Sequence, residues 1–194
     1  MSKVVLFDEN AVLQSATDLF WEKGYNGTSM DELTKATGLS RSSIYNSFGD
    51  KHALFMRSLE FYTQQQTDWM LKTVGKTTSP LKRIRQLFRA AIDAIMQDSR
   101  RKGCLAINTT AEMANMDEAI SDFLQKNTEN MESLFLQWIK EGQAAGEITK
   151  AFTATALSRH LFNTYGGLRI SGKTKPERKN LEDMVDVALA ALKP

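Results

Sequence analysis

Residues 28–55, TSMDELTKATGLSRSSIYNSFGDKHALF, decide the fold of this 194-residue chain. The stretch predicts two short helices joined by a tight turn. Thr28 and Ser29 offer hydroxyl N-caps to the first helix, and acidic residues follow in its first turn, where the helix dipole favours them. Gly38 ends this helix because it can adopt the left-handed conformation that a sharp reversal requires. A second helix is predicted over about residues 40–48.

The second short helix separates an apolar side from a polar side. Leu39, Ile44 and Phe48 fall on one side at helical spacing. Short polar side chains and donors project from the other, where Arg or Asn can make paired hydrogen bonds to guanine or adenine edges in the major groove of DNA. We expect the outward residues to be Ser40, Arg41, Ser43, Asn46 and Ser47.

A further helix is predicted to start just after these two. Asp50 can cap it, and Lys51 and His52 lie at its amino end. A cation beside exposed backbone amides is typical of a phosphate contact. We therefore expect Lys51 to contact the DNA backbone.

A small apolar core is expected to support the two short helices. Residues 8–23 predict a helix that ends at Gly24. The first short helix adds a narrow apolar stripe, consisting of Met30, Leu33 and Ala36. The supporting helix contributes Val12, Ala16, Leu19 and Phe20. A core this small should depend on the larger part of the chain for its stability.

This amino-terminal region resembles the DNA-binding signature of the TetR family of bacterial one-component transcription regulators. The matching stretches are residues 20–25, 28–30, 36–40 and 44–45, together with Phe48 and Lys51. The resemblance is specific over about residues 8–57 and generic beyond them. At two positions the chain departs from the family, which often has Gly in place of Ser42 and His in place of Ser47. Operator preference therefore cannot be transferred from relatives.

The resemblance implies a set of DNA contacts and a mode of assembly. Tyr45 would donate a hydrogen bond to a phosphate, although its ring could equally pack in the small core. A palindromic operator in double-stranded DNA would be the partner, and no cofactor is implied. The implied DNA-binding residues are Thr28, Ser29, Ser40, Arg41, Ser42, Ser43, Tyr45, Asn46, Ser47 and Lys51.

The remaining sequence continues the helical pattern without a strand signal or an internal repeat. Helices are predicted over residues 50–74, from Pro80 to the break at 98–103, and over 104–114, 117–141, 153–170 and 176–192. The total is about nine helices in an all-α fold. We divide it into a three-helix helix-turn-helix DNA-binding domain at residues 1–49, a long connecting helix at 50–75 and a helical effector-binding and dimerisation domain at 76–194.

Charge and composition limit the function less than the motif does. The net charge of +2 is close to neutral, but between Lys35 and Arg57 four basic residues face one acidic residue. The basic row on the helix that starts at Pro80 is interpreted as a solvated face rather than a second DNA site.

A single cysteine excludes an intramolecular disulfide. The start MSKVVLFDEN has no long apolar segment, and no later run is long enough to span a membrane, so we expect a cytoplasmic protein that does not bind membranes.

Two-fold pairing is expected because one short recognition helix contacts only a few base pairs. Such proteins read two half-sites through a dimer. The apolar, small-residue surfaces of the last two helices, at about 153–171 and 176–192, are the candidate interface. In the TetR family these helices form a four-helix bundle across the axis. The alternative is that they only complete the core of one chain.

Catalytic and metal-binding patterns are missing from the sequence. It contains two histidines, one cysteine and no phosphate-binding loop, nucleophile motif or zinc motif. We therefore predict neither an enzyme nor a metal site.

Cys104 allows two interpretations. It lies at the predicted start of a helix, directly after three basic residues, and both features favour a thiolate. The step from Gly103 to Leu105 resembles a sub-group of TetR-type regulators in which some members sense electrophiles or oxidants through this cysteine. Alternatively, Cys104 is a small apolar residue in a core.

An effector cavity is predicted among the aromatic and methionine side chains of the larger domain, although such a stripe is also typical of plain core. Its ligand would be an apolar or aromatic small molecule. Asn108, Thr109 and His160 are candidate polar contacts. The candidate apolar lining consists of Trp69, Met70, Phe88, Met113, Met131, Phe135, Trp138, Phe162 and Tyr165.

These patterns together predict a homodimeric, sequence-specific DNA-binding transcription regulator. It would act as a repressor that leaves a palindromic operator when an effector binds or when Cys104 is modified. The tilt of the long helix at residues 50–75 would transmit the signal. The alternative is a dimeric ligand or redox sensor that acts through a protein partner, and a third interpretation, a small helical enzyme, lacks any catalytic constellation.

Overall fold

A computed structural model describes residues 7–194, and this part of the chain contains nine α-helices, one short 3₁₀ turn and no strand. It confirms the predicted fold class. The 3₁₀ turn, Gly172–Thr174, lies between the last two helices. The helices are α1 Glu9–Lys23, α2 Met30–Thr37, α3 Arg41–Phe48, α4 Lys51–Val74, α5 Pro80–Gln97, α6 Leu105–Met113, α7 Glu118–Ala144, α8 Ala154–Ser171 and α9 Arg178–Ala190.

Local capping sets most helix starts. Ser29 and Glu32 form a capping box at α2, and the Ser40 hydroxyl accepts a hydrogen bond from the Ser43 amide at α3. Asp50 caps α4 in the same way. Gly38 has φ 71°, the left-handed conformation that lets the chain reverse between α2 and α3.

The amino-terminal core lies between α1, α2, α3 and the first half of α4. Phe20, Leu33, Ile44 and Phe55 are fully buried in it. Ala36, which the sequence placed in the apolar stripe of α2, is exposed, because only Leu33 of this eight-residue helix is buried in the core. Part of the larger domain completes this core. Its contributions come from α6 and the start of α7, namely Leu105, Ala106, Met113, Ile120 and Leu124.

The carboxy-terminal core lies between α5, α7, α8 and α9 and takes in the end of α4. Phe88, Phe135 and Leu161 are fully buried there. α4 belongs to both cores, since Leu54 to Tyr62 pack in the first and Met70 and Val74 in the second. The long connecting helix that the sequence predicts is therefore continuous between the two cores.

The last two helices do more than complete this core. Leu181, Val185 and related residues of α9 are buried within one chain. Other apolar side chains of α8 and α9 remain exposed: Ile170 by 56%, Met184 by 38% and Val187 by 73%. The helices thus contribute one face to the carboxy-terminal core and leave a second apolar face uncovered.

Candidate nucleic-acid interface and effector cavity

The outer face of α3 is polar and accessible. Ile44 and Phe48 anchor the helix in the amino-terminal core. Tyr45 is 49% exposed, so its ring does not fill that core. The predicted outward residues Ser40, Arg41, Ser42, Asn46 and Ser47 are exposed on this face, while Ser43 is half-buried.

Polar groups of α3 are held in place by weak local contacts. The Ser40 hydroxyl lies 2.9 Å from the hydroxyls of Ser42 and Ser43. Arg41 donates from Nη2 to Asp31 Oδ1 at 2.9 Å, and both side chains are largely exposed. An exposed ion pair contributes little free energy. The guanidinium can therefore exchange this carboxylate for another acceptor at low cost.

Three predicted contact residues next to α3 differ in accessibility. Thr28 is 1% exposed and donates its hydroxyl to the Gly24 carbonyl at 2.7 Å, so it stabilises the turn before α2 and is left out of the interface. Ser29 is exposed, but its hydroxyl serves the capping box. The ammonium of Lys51 lies 4.3 Å from the centre of the Tyr25 ring, and burial lowers the pKa of Lys51.

A carboxylate from α6 holds the turn between α1 and α2. Glu112 accepts hydrogen bonds from the amides of Tyr25 at 3.1 Å and Asn26 at 2.8 Å. Gly24 has φ 76°, a conformation that favours glycine, and a Cβ atom there would lie 2.5 Å from Glu112 Oε2 and displace this carboxylate. The sequence analysis missed this contact because 86 or 87 residues separate its partners.

Two more contacts connect the helix-turn-helix unit to the larger domain. Lys102 lies 3.0 Å from Asp18 of α1 and places its ammonium 3.9 Å from the centre of the Trp21 ring. His52 of α4 lies 2.9 Å from Asp117, the cap of α7. The backbone hydrogen bond from Ile120, more than His52 itself, lowers the pKa of Asp117. Together with Glu112, these contacts tie α6 and both its flanks to the DNA-reading unit.

An apolar cavity of about 60 Å³ lies between α4, α6, α7 and α8. Five predicted lining residues surround it along with Cys104: Met70, Met131, Phe135, Phe162 and Tyr165. The sequence analysis missed several others, including Tyr62, Gln66, Ile107 and Arg169.

The other predicted effector contacts lie elsewhere. Trp69 lines a neighbouring cavity of about 190 Å³. Phe88 and Trp138 are buried in the carboxy-terminal core and Met113 in the amino-terminal core, because each fills space between packed helices rather than a void. The predicted polar contacts are hydrogen-bonded elsewhere or exposed. Asn108 donates to the Lys102 carbonyl and accepts from Lys173, and Thr109 donates to the Leu105 carbonyl. His160 faces solvent.

The polar groups at the cavity are only partly satisfied. Arg169 is 8% exposed and donates from Nη2 to Gln66 Oε1 at 2.9 Å, but its Nε has no partner within residues 7–194. The buried hydroxyls of Tyr62 and Tyr165 also have none in that range. Burial raises the pKa of both phenols, so both are neutral donors near pH 7. Arg169 follows Tyr165 by four residues on an otherwise apolar helix face, a signal that sequence analysis could have used.

Cys104 is half-buried at the wall of this cavity and occupies the N-cap position of α6. Its side chain makes no capping hydrogen bond. The predicted place of Cys104 at a helix start is therefore correct. Its location connects the cavity to the same helix that carries Glu112.

Two other kinds of feature are absent from the described part of the chain. Within residues 7–194, no three His, Cys, Asp or Glu side chains are grouped as a metal site would require. None of the helices in that range has the length and apolar character needed to cross a bilayer.

Family comparisons agree with this architecture. A family model described as "Bacterial regulatory proteins, tetR family" matches residues 12–57. A second, described as "Tetracyclin repressor-like, C-terminal domain", matches residues 80–187. The two matches cover the helix-turn-helix unit and most of the larger domain.

Individual relatives resemble the chain along almost its whole length. The HTH-type transcriptional regulator YezE of Bacillus subtilis (strain 168) is 28% identical over 187 residues, 96% of each chain. The HTH-type transcriptional repressor DhaR of Mycobacterium sp. (strain GP1) is 26% identical over 184 residues, 94% of this chain and 91% of that protein. A cysteine mutant of the TetR family regulator CifR, solved in complex with 26 bp double-strand operator DNA, superposes with a TM-score of 0.87 at 26% identity and covers 98% of this chain and 100% of that one.

Proposed function

Because this chain belongs to the TetR family of bacterial regulatory proteins, and so is a DNA-binding transcription regulator and not an enzyme, we propose that it represses its target genes as a homodimer in the cytoplasm. A small-molecule effector, or modification of Cys104, releases it from a palindromic operator. The observation that carries the proposal is the accessible polar face of α3, held on a buried apolar core. The similar regulator CifR was solved in complex with operator DNA, which supports operator binding by this chain.

In the proposed complex, α3 lies in the major groove. Arg41 and Asn46 read base edges, and Tyr45 and Lys51 contact phosphates. Arg41 gives up Asp31 when it reaches the DNA. Ser40, Ser42 and Ser47 are small enough to let the backbone of α3 approach the bases closely.

A gel shift tests DNA binding directly. The probe is the DNA upstream of the protein's own coding region, and shuffled duplex of the same composition is the competitor. We expect a complex that survives the competitor and weakens as salt is raised. A protein that binds both duplexes equally would contradict sequence-specific regulation.

The proposed dimer uses the uncovered face of α8 and α9. Ile170, Met184 and Val187 are apolar, exposed and located on these two helices, and a second copy of the chain would bury them. Sedimentation of the wild-type protein should give twice the mass of one chain. Val187→Glu should shift it toward the monomer, whereas Leu71→Glu, at an exposed apolar site on α4, should not.

The proposed signal passes through α6 as well as through the tilt of α4 that the sequence predicts. Cys104 and Ile107 of this region line the cavity, while Glu112 at its far end holds the turn between α1 and α2. An effector that displaces α6 therefore pulls on the helix-turn-helix unit and changes the spacing of the two recognition helices. A near-complete switch requires the effector to discriminate between the two conformations by about 5 kcal/mol.

Cys104 is the proposed site of electrophile or oxidant sensing. Its thiol lies at the cavity wall, so an adduct there would press on the same helix as a bound effector. Treatment with a quinone or hypochlorite should release the wild-type protein from its operator and leave the Cys104→Ser variant bound. Equal release of both proteins would show that the cysteine is only a packing residue.

A further inference from the structure

Arg169 is a buried cation, of which only 8% is exposed. Within residues 7–194 its hydrogen bond goes to a neutral amide, and no carboxylate forms an ion pair with it. Its guanidinium donates to the neutral amide of Gln66, and its Cζ lies 6.0 Å from the centre of the Trp69 ring and 5.6 Å from that of Tyr165. Burying an unpaired charge is strongly destabilising. A buried polar group without a partner is typical of a binding site that is completed by its ligand.

Two tyrosine hydroxyls, which can donate as well as accept, accompany Arg169 at the cavity. Tyr62 is 2% exposed and Tyr165 is 9% exposed, and neither hydroxyl has a partner among residues 7–194. Both side chains line the same cavity as Arg169. Three unsatisfied donor groups around one void favour a ligand with negatively charged oxygen atoms, because a carboxylate accepts from a guanidinium and from hydroxyls at once.

The rest of the cavity wall is apolar. Met70, Met131, Phe135 and Phe162 lie around the void. The free space of this cavity is about 60 Å³. Gln66 and Arg169 also line the neighbouring cavity of about 190 Å³. A ligand bound to the guanidinium therefore has room on both sides of it.

We propose that the effector is a small organic acid, whose carboxylate binds Arg169 with the hydroxyls of Tyr62 and Tyr165 and whose apolar body packs on Met131, Phe135 and Phe162. This inference rests on the proposed effector-responsive function and specifies the chemical class of the ligand. It accounts for a buried charge that apolar ligands alone would leave unpaired.

Matched acids and amides test the proposal. Benzoate, phenylacetate and hexanoate have the shapes of benzamide, phenylacetamide and hexanamide, but only the acids are charged near pH 7. Thermal unfolding and calorimetric titration of the full-length protein should show at least one acid binding about 10- to 100-fold more tightly than its amide, the ratio that charge-assisted hydrogen bonds carry. If every acid binds no better than its amide, the proposal is wrong.

Arg169→Met identifies the responsible residue. It should abolish the preference for the acid and leave the melting temperature of the ligand-free protein unchanged or higher, since it removes an unpaired charge. A structural role for Arg169 instead predicts a lower melting temperature with the preference retained, and that result would overturn the assignment. The matched control is Arg159→Met, which removes an exposed arginine from the same helix and should preserve the preference.

Two further variants remove donors while keeping the rings. Tyr62→Phe and Tyr165→Phe should each reduce acid binding more than amide binding, because a hydroxyl bonds a charged acceptor more strongly than a neutral one. This test holds whether or not the Arg169 variant folds. None of these measurements uses DNA. A protein that prefers the acid but binds no operator contradicts the proposed function alone, and one that binds its operator but treats acids and amides alike contradicts this inference alone.

Discussion

The threonine and serine hydroxyls buried in the amino-terminal core are satisfied internally, whereas the tyrosine hydroxyls at the cavity are not. In the amino-terminal unit the hydroxyls of Thr17, Thr28 and Ser58 each donate to a backbone carbonyl. At the cavity, the hydroxyls of Tyr62 and Tyr165 lack partners within residues 7–194. Satisfied groups stabilise one conformation, while unsatisfied groups are costly unless something binds them. The amino-terminal core therefore favours a single conformation, whereas the cavity is expected to rearrange when a ligand binds.

α6 lies between these two regions and touches both. Its first turn adjoins the cavity through Cys104 and Ile107. Its last turn carries Glu112, which accepts two backbone hydrogen bonds from the amino-terminal unit. The helix is short, so a displacement at one end reaches the other without passing through a flexible segment.

The largest expected effect comes from breaking the rigid region. Ile44→Ala leaves a cavity under α3, because Ile44 is fully buried, and should cost about 2–5 kcal/mol of the free energy of unfolding. Urea denaturation of the ligand-free protein measures this cost. Tyr165→Phe, at the cavity, should change the same quantity far less because its hydroxyl has no partner to lose in residues 7–194. Equal costs would contradict the distinction between the two regions.

A second prediction concerns the DNA-reading face. Arg41→Ala or Asn46→Ala should reduce discrimination between the operator and shuffled DNA by about 1–3 kcal/mol, because each removes a base contact. Tyr45→Phe should weaken binding to both duplexes about equally, since a phosphate contact carries no sequence information. Fluorescence anisotropy titrations with both duplexes measure these ratios. A uniform loss for Arg41→Ala would show that Arg41 contacts the backbone and not a base.

Local features of this face could be predicted from the sequence, and long-range features could not. The burial of Ile44 and Phe48 follows from the helical period, and the cap at Ser40 follows from residue type within one turn. The pairing of Glu112 with Tyr25 and Asn26 has no local signal. Phe88 and Phe135 show the same apolar spacing, yet only Phe135 borders the cavity. A periodic pattern identifies a buried face without revealing whether a packed side chain or a void lies opposite.

A third prediction sharpens the role of α6. Glu112→Ala leaves two backbone amides without their acceptor and should destabilise the protein by about 1–3 kcal/mol. It should also speed hydrogen exchange at the amides of Tyr25 and Asn26. Glu112→Gln keeps one carbonyl acceptor, so its stability and its exchange rates should lie between those of the wild-type protein and Glu112→Ala. If exchange at these amides is unchanged in Glu112→Ala, α6 does not hold the turn.

The smallest expected effect is the acid sensitivity of the rigid region. Hydrogen bonds lower the pKa of Glu32 from 4.5 to about 2, and the bond from Lys23 contributes more than those from Ser29. Because the folded-state pKa lies below the unfolded value, the stability that Glu32 contributes is fully present above pH 4.5 and is lost as the pH falls toward 2. Glu32 is exposed to solvent screening, so the change should be modest. As the pH is lowered from 6 to 2, the melting temperature should fall less for Glu32→Gln than for the wild-type protein. The control is Glu60→Gln, at an exposed site on α4, and its melting temperatures should follow the wild-type curve. If Glu32→Gln also follows that curve, the capping box adds no acid-sensitive stability to the DNA-reading unit.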